Sequence, residues 1–143
     1  MVGILKKIFT KNKKIERDDP VFGHVEYERS HGVDMWLHAP SDDKDHMIVV
    51  FASATGPSQA QRDFYDSLRR DIVSLESSCK EFISRQQDPP ANLSDMMIYS
   101  VEIGDDSELE NGQFVIELSD QEEFEIHRVE FKNSAPHSYG VDD

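Results

Sequence analysis

The apolar residues of this chain change period twice. VFGHVEYE (21–28) alternates, with Val25 and Tyr27 on one side and Glu26 and Glu28 on the other, the pattern of a half-buried strand. VDMWLH (33–38) sets Val33, Met35 and Leu37 on one face, and the Ser30-His31-Gly32 turn between the two runs predicts a hairpin. HMIVVFAS (46–53) is apolar on both faces and reads as a central strand. The period then lengthens. Phe64, Leu68, Ile72, Leu75, Cys79, Phe82 and Ile83 recur at steps of three and four, predicting one amphipathic helix of about 26 residues. Thr55 or Ser58 is its N-cap, and Asp88-Pro89-Pro90 ends it. MMIYSVEI (96–103) is β-rich, and alternation returns in QFVIELS (113–119), with Phe114, Ile116 and Leu118 on one face, and in FEIHRVEF (124–131). The last run slips phase at His127-Arg128, which predicts a β-bulge there. The segment GDDSELENG (104–112) reads as an acidic turn.

These elements give an α+β fold in βββ-α-βββ order. Short connections favour a largely antiparallel sheet, and the single long helix packs its stripe on one face of it. Asp18-Asp19-Pro20 marks a boundary between a basic arm (1–17) and one α+β domain (18–135); NSAPHSYGVDD (133–143) begins a polar, irregular tail, assigned to 136–143. A domain of this size buries roughly two-thirds of its unfolded-chain surface and needs neither disulfide nor metal to fold.

The formal net charge of −14 is unevenly placed: residues 1–17 carry a net of +5 and residues 18–143 a net of −19. A body so acidic repels nucleic-acid phosphates and attracts basic protein surfaces, or it serves solubility alone. The single cysteine, Cys79, suits a reducing, cytoplasmic setting and lies in the helical stripe, where a thiol is inert. No apolar run approaches the length of a membrane span.

Candidate chemistry is sparse. His24, His31 and His38 are seven apart, a spacing that gives no ligand geometry, and there is no HExxH or CxxC. Asp106, Glu108, Glu110, the Gly112 carbonyl and Glu117 match positions of a calcium loop. Asn111 stands where that loop needs glycine, and strands flank it, so an acidic hairpin turn at Asn111-Gly112 is the better reading. Gly56 stands alone before its helix, without a phosphate-cradling loop. No catalytic, cofactor-binding or metal-ligating set is assigned. Trp36 opposes the Val33/Met35/Leu37 face, so it either packs on the second side of the sheet or is an exposed binding anchor.

In the opening MVGILKKIFTKNKK, a helix places Val2, Leu5, Ile8 and Phe9 on one face with lysines around the rest. Leu5, Lys6, Lys7, Ile8 and Phe9 are therefore candidates for weak, reversible membrane contact; a basic arm folded back on the acidic body is the other reading. Lys6 and Lys7 interrupt what would be the apolar core of a signal peptide.

Several short features taken together are Asp19-x-x-Phe22-Gly23, Trp36, the apolar third strand, Gly56-Pro57-Ser58-x-x-Gln61, Phe124-x-x-His127-x-x-x-Phe131 and the terminal Gly140-Val141-Asp142-Asp143. In these, residues 18–143 resemble a group of small, single-domain, acidic and uncharacterised bacterial domains, some of them immunity-protein-like. The resemblance carries no catalytic residues. The expectation is a non-enzymatic cytoplasmic module that holds a basic protein, a toxin for example, through Trp36, Asp105, Asp106, Glu108, Glu110, Glu122 and Glu123. The alternatives are a peripheral membrane protein docked through its basic N-terminus and a metal-dependent hydrolase.

Overall fold

The computed structural model describes residues 14–42, 45–120 and 125–142. They form one eight-stranded sheet in which each strand pairs with its sequence neighbours. The strands are β1 (Glu16–Asp19), β2 (Gly23–Ser30), β3 (Val33–His38), β4 (Met47–Val50), β5 (Met97–Ile103), β6 (Phe114–Ser119), β7 (Ile126–Lys132) and β8 (Ala135–Asp142). All pairs are antiparallel except β4 and β5, which run parallel. Two helices cross between those two, α1 (Gln59–Arg70) and α2 (Ile72–Ser84), followed by a 3-10 turn at Leu93–Asp95. A short helix, α3 (Asp106–Glu110), follows β5.

The βββ-α-βββ order is thereby corrected in four places. First, the chain has a strand before and a strand after the predicted set. Glu16 and Arg17, assigned to the arm, enter β1, and residues 136–142, assigned to the tail, belong to β8. Second, the single helix breaks at Asp71, whose φ of −113° and ψ of 28° leave the helical region. A straight 26-residue helix would run about 39 Å, against roughly 23 Å for the seven-residue β5. Bending at Asp71 keeps the apolar stripe on the sheet. Third, the acidic turn is α3, capped by Asp105, whose Oδ1 accepts the Glu108 N–H at 2.9 Å. Fourth, no bulge lies at His127-Arg128. The β6–β7 register is continuous from Phe114↔Phe131 to Leu118↔His127, so His127, Val129 and Phe131 all point inward. Register shifts occur instead at Ile98/Ser100 and Glu130/Phe131.

The core lies between the helices and one face of the sheet. Val25, Trp36, Val50, Val101, Ile103, Ile116 and Val129 line that face, and Tyr65, Cys79 and Ile83 meet them from the helices. Trp36 is fully buried, so β3 presents Trp36 to the core while Val33 is exposed and Met35 and Leu37 are half-buried. The reason is register: Trp36 pairs with Tyr27 on β2 and Val50 on β4, both on the inward side. The opposite face carries a charge ladder in which Arg128 reaches Glu102 at 2.7 Å, Glu117 at 3.5 Å and Glu130 at 3.6 Å. Burial raises the Glu102 carboxyl above its usual range; Arg128 opposes the rise and Glu117 adds to it.

Asp19, at the boundary that opens the domain, is a structural bond between the β1–β2 turn and α1. Its Oδ1 accepts the N–H groups of Val21 and Phe22, and its Oδ2 accepts Arg62 Nε at 2.9 Å and meets Nη2 at 2.8 Å.

Candidate functional site: an acidic crevice at the ends of the parallel strands

The crossover from β4 to β5 sets the carboxyl ends of two parallel strands side by side, and a crevice lies where their outgoing segments approach each other, Ser58 before α1 against Asp106 of α3. Here it is open, about 450 Å³, walled by residues 51–58 after β4, by Gln61 of α1, and by Asp105, Asp106 and Ser107 after β5.

Side chains fix its walls. Ser58 is the N-cap of α1 and forms a capping box: its Oγ accepts the Gln61 N–H at 3.1 Å, while Gln61 Oε1 accepts the Ser58 N–H at 2.9 Å. The Gln61 amide then donates to the Phe51 carbonyl at 2.9 Å and to the Gly104 carbonyl at 2.8 Å, joining the two walls. Trp36 Nε1 donates to the Ser53 carbonyl at 2.8 Å. Arg17 lies over the Trp36 ring, 4.5 Å from its centroid, and donates to the Thr55 carbonyl at 3.0 Å. Gly56 adopts φ +114°, a conformation that favours glycine, and a Cβ there would displace the Arg17 guanidinium, whose Nη1 would lie 2.3 Å away.

The rim is rich in acceptors. Ser58 Oγ donates to Asp106 Oδ1 at 2.6 Å, and the Ser53 and Thr55 hydroxyls bond each other at 2.6 Å. The Glu108 carboxylate folds back over Gly104, where a Cβ would meet Oε2 at 2.4 Å. Among the described residues, none of Asp105, Asp106, Glu108 or Glu110 forms an ion pair. Hydroxyls and carboxylates of this kind receive a donor, and a cationic donor best. Among the described residues that line the crevice there is no histidine.

Of the candidate contacts, the structure brings Asp105, Asp106, Glu108 and Glu110 together on and before α3, all exposed. Trp36 supports the crevice from inside the core rather than standing as an exposed anchor. Glu122 and Glu123, and the membrane-contact candidates Leu5, Lys6, Lys7, Ile8 and Phe9, lie outside the described residues. Gln61, Ser53 and Gly56 escaped sequence reasoning as site residues, although Gly56-Pro57-Ser58-x-x-Gln61 marked the helix start.

The remaining reactive side chains serve elsewhere. Cys79 is buried, and burial, with the nearby Glu76, pushes its thiol up to about 12. His127 is buried against Tyr139, Nδ1 to hydroxyl 2.7 Å, and half-buried His46 meets the Tyr65 hydroxyl at 2.8 Å. Burial lowers the His46 pKa. Donors able to hold a metal ion meet on β1 and β2, at Glu16, His24 and Glu26. Among the described residues no helix is long and apolar enough to cross a membrane. No family model, curated protein or solved structure matches the chain.

Proposed function

We propose that the chain is a non-enzymatic binding module that receives a basic protein segment at the acidic crevice beside α3. The observation that carries this reading is the set of four carboxylates, Asp105, Asp106, Glu108 and Glu110, with no paired cation among the described residues, beside a crevice whose walls are braced in advance. A lysine or arginine side chain supplies a cationic donor to these carboxylates, and bracing lowers the ordering cost of binding. The acidic body around them, net −19 over residues 18–143, steers such a partner in. The resemblance to immunity-protein-like domains makes a basic toxin one partner of this class.

The test is titration of a lysine-rich peptide onto the full chain at low and moderate salt, alongside retention of basic proteins from the native-host lysate. The comparison is a variant carrying Asp105→Asn, Asp106→Asn, Glu108→Gln and Glu110→Gln. Exposed ionic contacts at about 0.2–1 kcal/mol each predict roughly a tenfold loss of affinity and a shallower salt dependence. Equal affinity and equal salt dependence would remove the crevice from consideration as the interface.

A further inference from the structure

We infer that Glu16, His24 and Glu26 form a divalent-cation site, best suited to Zn2+, that clamps the edge strand β1 to β2. The register sets Glu16 opposite Glu26 and Asp18 opposite His24, so all four side chains share one face of the hairpin. Two carboxylates at facing positions repel each other unless a cation lies between them. Lys14, at 3.6 Å from Glu26 with its side chain 68% exposed, and a protonated His24, 3.0 Å from Glu16, offset this only in part.

The imidazole is already aimed. His24 Nε2 lies 3.0 Å from Glu16 Oε2, and Nδ1 lies 3.1 Å from Asp18 Oδ1. Asp18 thus occupies the place of the carboxylate that typically orients a metal-bound histidine through its second ring nitrogen. One donor atom each from Glu16, His24 and Glu26 lies within 4.8 Å of the others. An ion about 2.1 Å from each tetrahedral ligand needs them roughly 3.4 Å apart. Exposed glutamate side chains close that gap by rotamer change. One imidazole with two carboxylates favours Zn2+ over Mg2+ or Ca2+, which take oxygen ligands, and three protein ligands leave a position for water or a further donor.

The experiment is calorimetric titration of metal-stripped full-length chain with ZnCl2, repeated with excess Mg2+. The expected result is saturable binding of one Zn2+ per chain, resistant to Mg2+. His24→Gln, Glu16→Gln and Glu26→Gln should each weaken it at least tenfold, and Asp18→Asn by about 10–100-fold through loss of ring orientation. His137→Asn, an exposed histidine outside the hairpin, should bind like the parent. Circular dichroism of each variant confirms folding. Unsaturable binding, or the same affinity and stoichiometry in His24→Gln and Glu16→Gln, would overturn the assignment.

Discussion

Gln61 is the side chain on which the crevice depends, and Gln61→Met isolates its polar role. Methionine keeps the length and volume and removes the amide. The residue is 2% exposed, so water has little room to replace what is lost. Three bonds disappear: to the buried Gly104 carbonyl, to the part-buried Phe51 carbonyl, and from the Ser58 N–H. Leaving the Gly104 carbonyl without its donor costs about 1–3 kcal/mol, and the two part-buried bonds add about 0.5–1.5 kcal/mol each. The other half of the capping box survives, since Ser58 Oγ still accepts the residue-61 N–H. The expected destabilisation is therefore about 3 kcal/mol. Urea unfolding followed by fluorescence reads it directly, because Trp36 is the only tryptophan and is fully buried. The midpoint should fall with no change in m-value. The control is Gln59→Met, which removes only an exposed Gln59–Asp63 bond on the same helix and should cost about 0.2–0.5 kcal/mol. If the two variants unfold within about 0.5 kcal/mol of each other, the two walls are not held together by Gln61.

Two further outcomes test the rest of the framework. Burial raises the Asp19 carboxyl, but its bonds from Arg62, Phe22 and Val21 and the Arg62 charge more than offset this and hold it below its ordinary value. Its stabilisation is thus present above the unfolded carboxylate pKa and lost as pH falls through the lower folded value. Asp19→Asn should cost about 3 kcal/mol at neutral pH and flatten the acid limb of a stability–pH curve; an unchanged acid limb would contradict the assignment. Cys79 should resist an aromatic disulfide reagent in the folded chain and react at a rate that follows unfolding as urea rises. Prompt reaction in buffer would mean that the thiol is not enclosed.

The strands that alternate cleanly were legible, and those that do not were missed for a shared reason. β1 (ERDD) and β8 (APHSYGVD) are the two edges of the sheet, half-solvated, and carry little apolar alternation. On β3 the reading followed the number of apolar residues, three against one, whereas the position that pairs with Tyr27 and Val50 decides the inward face. The parallel β4–β5 pair was implicit in the helical crossover, because a strand returning after a long helical connection can lie parallel to its predecessor. That pair builds the crevice. The acidic character of residues 105–110 was therefore visible in the chain, but their meeting with Ser53, Gly56 and Gln61 was not. In the same way, Glu16 and His24 join only once β1 is recognised as a strand.

The charge of the body also acquires a location that composition alone does not give. Arg62 is committed to Asp19, Arg69 and Arg70 to Asp66, Lys80 to Glu76, Arg85 to Glu81, and Arg128 to three glutamates. The cations of the helices and of the charge ladder are thereby paired where they stand, Arg69 and Arg70 sharing one carboxylate. Asp105, Asp106, Glu108 and Glu110 are left as a concentrated negative field at one end of the sheet. Three of these carboxylates, Asp105, Asp106 and Glu108, lie at the N-terminal end of α3, where the unpaired N–H groups of the first turn favour negative charge. The helix therefore tolerates the cluster with no lysine or arginine paired to it among the described residues. A field so placed reaches about one Debye length, roughly 8 Å at physiological salt. Partner capture through it should accordingly be lost by raising salt well before the fold itself responds.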